Sequence, residues 1–152
     1  MHPQYHFLLG LIFIFLLKLL VPFFTLYDIL IIFLASFLID TDHYLYYVFK
    51  KKGLSINDAY AWFIENEVKL RNLPRNERNK YRNVLMIFHT IECWIILALL
   101  SYLNKLFLFI LIGFLFHMFI DYIALLIDKE PIYPKLSLIY TAITNKNKKD
   151  ID

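Results

Sequence analysis

Cysteine is almost missing: Cys93 is the only one in 152 residues, so no disulfide can form within the chain. Cys93 lies in an apolar run, where a packed and inert thiol is expected. The apolar stretch from Phe7 to Phe24 lacks the basic residues that precede a secretory signal core. No small-x-small cleavage site follows it either, since Val21, Pro22, Phe23 and Phe24 have the wrong chemistry. That stretch therefore reads as a retained first membrane span. No solenoid-type repeat is visible, which excludes a repeat array. Glycine is scarce as well, with three residues.

What is present is apolar. Hydrophobic residues make up 60% of the chain and its mean hydropathy is +0.56, against about half in an ordinary soluble domain. The surplus lies in long stretches, the mark of membrane spans. The sequence predicts an all-α integral membrane bundle of about four transmembrane helices in one domain, residues 1–152. The spans fall at about 6–24, 26–49, 84–103 and 106–127. Short turns join the first pair and the second pair, making two antiparallel helical hairpins.

Between the hairpins lies a polar segment, residues 50–82. Ser55-Ile-Asn-Asp58 resembles a capping box, and Ile56, Tyr60, Phe63, Ile64 and Val68 follow at helical spacing. They predict a cytoplasmic amphipathic helix over 56–72, either a surface anchor or a lid. A second helix is expected to start near Arg75 and run on into the third span. The 50–82 segment holds nine of the 16 Lys and Arg residues, and the 128–152 tail holds five. The positive-inside rule then puts both termini and the central segment in the cytoplasm of a cell-membrane protein. Topology accounts for the bases, so nucleic acid is not an expected partner; membrane lipids are.

Ionisable groups at hydrocarbon depth are costly and each needs a reason. Within the spans stand His6, Lys18, Asp40, Asp42, His43, His89, Glu92, His117 and Asp121. Lys18 lies near the outer end of its span and is expected to snorkel. The others fall in one layer, roughly 10 Å below the cytoplasmic interface at 1.5 Å per helical residue. His117 and Asp121 are i and i+4; His89 and Glu92, like Asp40 and His43, are i and i+3, so each pair shares a helix face. His and carboxylate on facing helices form the ligand set for zinc or another divalent ion. A bound cation also removes the repulsion between buried carboxylates. The alternative is a hydrogen-bonded polar cluster that simply holds the bundle together.

The order His6, Asp40-Thr-Asp42-His43, His89-Thr90 and Gly113-Phe-Leu-Phe-His117-Met-Phe-Ile-Asp121 resembles the YdjM-like membrane-bound metal-dependent hydrolases. It is similar, more distantly, to zinc-dependent phospholipases C. The resemblance rests on about eight positions spread over most of the chain. It implies metal ligands among His6, Asp40, Asp42, His43, His89, His117 and Asp121, and matches a later proline turn to Pro131-Ile-Tyr-Pro134. The sequence departs from the family at Ile39, where the family has proline, and at Phe88-His89-Thr90-Ile91-Glu92, where it has Thr-His-Ser. Asp40 and Asp42 would point about 200° apart on a regular helix, which sets one of them behind the ligands unless the helix breaks there.

Three functions fit this pattern. The first is a metal-dependent hydrolase, with zinc as the expected ion, Glu92 or Asp40 as the base, and an amphiphilic or phosphoester substrate. Arg75, Arg78 and Arg82 would share a stripe with His89 on a continuous helix, where they would steer a phosphate or else anchor the helix to headgroups. The second is a non-catalytic membrane protein with a structural metal or polar cluster. The third is a metal-ion transporter, for which the outer halves of the spans offer little beyond Lys18, Ser36 and Ser101.

Overall fold

A computed structural model describes residues 3–131 and 136–151. His2 and residues 132–134 of the expected proline turn lie outside them. Every regular element among the described residues is helical, and the one extended pairing is an isolated parallel bridge, Tyr81 to Lys149.

Helix α1 spans Pro3–Leu20 and ends in a tight turn that Lys18 closes. The Lys18 ammonium donates to the carbonyls of Pro22 (2.9 Å) and Phe24 (2.5 Å), so its charge holds the turn between α1 and the next helix. Helix α2, Leu26–Leu38, starts with a complete capping box between Thr25 and Asp28. Helix α3 covers Thr41–Lys51. The two together form a stretch of 26 residues, Leu26–Lys51, long and apolar enough to cross a membrane. A turn at Ile39 and Asp40 interrupts it, with i to i+3 bonds from the amides of Asp42 and His43 to Ile39 and Asp40.

Helix α4, Ile56–Asn72, is the expected amphipathic helix, with Ser55 as its N-cap. Its packed face differs from the expected stripe. Ala59, Trp62, Phe63 and Asn66 turn inward, while Ile56, Tyr60 and Val68 stay exposed. The aromatic rings of Tyr46 and Tyr47 on α3 draw Trp62 in, and Lys50 and Lys51 stand over its indole.

The largest departure lies between Arg75 and Thr90. Helix α5 is a single turn, Arg75–Arg78, and does not continue. Residues 82–86 take no regular secondary structure, and helix α6 covers only Ile91–Leu100. Ten residues make about 15 Å of helix, half of the roughly 30 Å hydrocarbon layer. The expected helical span over 84–103 is therefore replaced by an irregular lead and a short helix. The reason is local: backbone amides of Arg82, Asn83 and Phe88 are taken by Lys149 O, Asn145 Oδ1 and Asp42 Oδ2, which a continuous helix would forbid. The Arg75–Arg78–Arg82 stripe breaks with it. Arg78 binds Glu130 and the carbonyls of Leu73 and Arg71, and Arg82 binds Asp150, so these side chains tie chain segments together.

Helix α7, Lys105–Ile127, is the second helix long and apolar enough to cross a membrane. Helix α8, Leu138–Asn145, follows. The tightest packing is between α2 and α7, where Gly113 meets α2. A Cβ built on Gly113 would lie 2.5 Å from Ile32 O and 2.9 Å from Ser36 N. Only glycine lets these two backbones approach so closely. A core of Ala35, Ile39, Phe114 and Met118 fills the seam, with half-buried Cys93 packed against it. Away from that seam, large apolar side chains such as Phe15, Leu30, Ile96 and Phe119 are exposed on the helix surfaces.

Candidate metal centre

Asp40 stands at the break between α2 and α3, and one of its oxygens gathers three imidazoles. Oδ1 lies 3.4 Å from His89 Nε2, 3.5 Å from His117 Nε2 and 3.5 Å from His43 Nδ1. His43 comes from the first turn of α3, His89 from the turn that leads into α6, and His117 from the middle of α7. His6, near the start of α1, joins from the fourth side. Its ring stacks on His117 at 4.0 Å, and its Nε2 meets Asp121 Oδ1 at 3.2 Å. Asp121 also stands 3.9 Å from His117 Nε2, one helical turn along α7.

The orientation of each ring follows from what holds its far side. His117 Nδ1 lies 2.8 Å from the carbonyl of Ser36. A carbonyl can only accept, so the proton is on Nδ1 and the lone pair on Nε2 points into the cluster. The approach of α2 and α7 at Gly113, one turn before His117, makes that bond possible. His89 is set the same way. Its Nδ1 donates to Asp42 Oδ2 at 3.1 Å, and that carboxylate also accepts the Phe88 amide at 2.6 Å. Asp42 and His89 are both almost wholly buried.

The expected conflict between Asp40 and Asp42 is thus resolved. The helix breaks, and the two carboxylates approach opposite nitrogens of one ring. Asp40 is among the inward-facing groups, and Asp42 stands behind His89 as its orienting partner.

Three overlapping groups have ligand atoms close enough to hold a cation: His6, Asp40 and His117; Asp40, His43 and His89; and His89, His117 and Asp121. The donor set suits a divalent ion. Within each group the ligand atoms lie within 4.8 Å of one another, and Asp40 Oδ1 stands 3.4–3.5 Å from three imidazole nitrogens. His117 Nε2 and His6 Nδ1 are buried without a hydrogen-bond partner among the described residues. Buried polar atoms are rarely left so, and a cation would satisfy them.

The cluster is dry on one side and open on the other. Side chains of His89 and His117 are 0% exposed, whereas Asp40 and His43 keep 29% and 33%. The open edge lies where α3 begins, and Phe63 of α4 meets His43 edge-on at 5.0 Å. No protein-family model, characterised protein or solved structure matches this chain.

Glu92 takes no part in any of the three groups. Its carboxylate accepts from the Ser137 hydroxyl and from the amides of Leu138 (3.1 Å) and Ile139 (3.2 Å), capping the N-terminus of α8 across space. The sequence-predicted residues His6, Asp40, His43, His89, His117 and Asp121 therefore come together, with Asp42 just behind and Glu92 elsewhere. Nothing in the sequence marks Ser36 as a partner, because it acts through its backbone carbonyl. The contact of Glu92 with Ser137 is equally hidden, although Ser137 is a recognisable N-cap residue.

Proposed function

We propose that this chain is a membrane-embedded, metal-dependent hydrolase whose centre is the Asp40–His43–His89–His117 cluster, with His6 and Asp121 beside it. The observation that carries this reading is the one-sided opening. Structural metal sites are closed by protein ligands, whereas catalytic ones keep a position for water and substrate. Here the exposed edge is formed by Asp40 and His43, themselves members of the cluster.

Zinc fits the nitrogen-rich donor set. Asp40 belongs to two of the three groups, and with the imidazoles around it would hold the ion. A divalent ion supplies Lewis acidity and a hydroxide nucleophile at neutral pH. The chain's own residues do the rest. Ser36 O and Asp42 hold two imidazoles in the ligating tautomer. Ile39, Ala35, Phe114 and Met118 keep water from the inner side. At the mouth, Asp40 and His43 form the edge that a substrate would reach, and Glu92, bonded to the start of α8, is not free to act there as a base. The same apolar core would obstruct an ion path, which weighs against transport.

The helix pattern supports a cell-membrane location with both termini cytoplasmic. In this reading α1 completes a first crossing with about 27 Å of helix, and the irregular 84–90 segment with α6 completes a third. Irregular backbone at that depth is tolerated because it is buried in protein and lines the site. The mouth then faces the inner leaflet, which suits an amphiphilic phosphoester substrate. Exposed Ile56, Tyr60 and Val68 on α4 suit contact with membrane lipids.

The test is turnover of a panel of amphiphilic and soluble phosphoesters by the purified protein, stripped with chelator and reloaded with zinc. Hydrolysis is expected only when reloaded, with Asp40→Asn losing turnover together with metal. A protein that binds zinc and turns over nothing on the panel moves the reading to a structural metal.

A further inference from the structure

Among the histidines of the cluster, His89 is the one that no helix carries. It sits in a turn after an irregular segment, and a histidine so placed has no helical scaffold to fix its depth. Its position is nevertheless bracketed on both sides by one piece of chain, the C-terminal residues 136–151.

On the upstream side, the Lys149 amide donates to Lys80 O (2.9 Å) and the Arg82 amide donates to Lys149 O (2.8 Å). The buried Asn145 carboxamide then grips the next residue twice. Its Oδ1 accepts the Asn83 amide at 2.9 Å, and its Nδ2 donates to Asn83 O at 2.8 Å, the pattern of one rung of a β-ladder made by a side chain. Arg82 adds an ion pair with Asp150 at 3.2 Å. On the downstream side the Ile91 amide donates to Leu136 O at 2.9 Å, and Glu92 caps α8 through Ser137, Leu138 and Ile139. His89 lies between the two clamps.

We infer that the C-terminal segment is a brace that positions His89, with Asn145 and Glu92 as its two positioning residues, although neither touches the cluster. The effect on metal rests on the proposed centre; the ordering of His89 does not. The two side-chain bonds of Asn145 both go to Asn83, 62 residues earlier, and neither adds a bond within α8 itself. Glu92 likewise directs its charge to a helix that begins 46 residues later.

The experiment uses full-length, metal-free protein labelled with ¹⁵N-histidine, the His89 ring signal being identified by its loss in His89→Gln. Asn145→Ala and Glu92→Gln should each broaden or shift the His89 signal, while His6 and His117, carried by α1 and α7, keep theirs. Asn145→Asp retains one of the two bonds and should show a smaller change. If Asn145→Ala does not fold, Asn145→Asp and Glu92→Gln carry the same test. An unmoved His89 signal, or equal disturbance of every histidine, overturns the brace whether or not the site takes metal. Binding of Co²⁺ is the second arm. Asn145→Ala should weaken it by about 10–100-fold, the usual cost of losing an orienting partner, and Lys148→Ala should leave it unchanged. A Co²⁺ affinity equal to wild type in Asn145→Ala also counts against the brace.

Discussion

Asp42 shows how one carboxylate can matter without touching an ion. It holds the Nδ1–H of His89 and the amide of Phe88 at once, both in a buried setting. Both bonds end on the same oxygen, Oδ2, so Asp42→Asn can keep an acceptor for each but loses the charge. Metal affinity should fall by about 10–100-fold, measured by competition with a chromophoric chelator; an affinity equal to wild type would show that His89 needs no such partner. The inward-facing histidines and Asp40 were legible in the sequence because polar residues stand out in apolar runs, and helical spacing says which share a face. Partners such as Ser36 O and the donors around Glu92 were not legible. A backbone carbonyl leaves no mark on residue type, and Glu92 meets Ser137 only through the tertiary fold.

At the scale of elements, the α2–α7 seam carries the site. Gly113 admits α2 to a distance that places Ser36 O on His117, and the Gly113 to His117 spacing of one turn could be read directly from the sequence. Gly113→Ala forces a Cβ against Ile32 O and must push the helices apart. It should destabilise the protein by about 1–3 kcal/mol, read as a lower midpoint of thermal unfolding in detergent, with a parallel loss of metal. A variant with wild-type stability and metal content would mean that the seam does not set His117. Helices α1, α4 and α7 followed from apolar runs and caps. The break at Ile39–Asp40 was foreseeable only as a condition for both aspartates to serve one site. The unwound stretch before α6 was not foreseeable, because Val84 to Phe88 is as apolar as a helix, while the residues flanking it, Arg82, Asn83 and Ile91, bond to the C-terminal tail and the Phe88 amide bonds to Asp42.

For the whole molecule, two helices meet the length and composition of a membrane crossing, and α1 and α6 are shorter apolar helices. The proposed four crossings place the turn at Asn104 outside and Ser55 inside. Single cysteines test this in a Cys93→Ser background: Ser55→Cys should react with an impermeant thiol reagent only after the membrane is opened, and Asn104→Cys in intact cells. The reverse pattern would invert the topology.

In the proposed centre, helices from both halves of the chain and the His89 turn bring their ligand atoms to a divalent ion. Elemental analysis of the purified protein addresses it most directly. Wild type should carry about one or two tightly held divalent ions, with zinc foremost, and Asp40→Ala and His117→Ala should each lose most of that content while keeping their helical circular dichroism. A metal-free wild type that takes up no zinc when reloaded, or unchanged metal in both variants, would contradict the account.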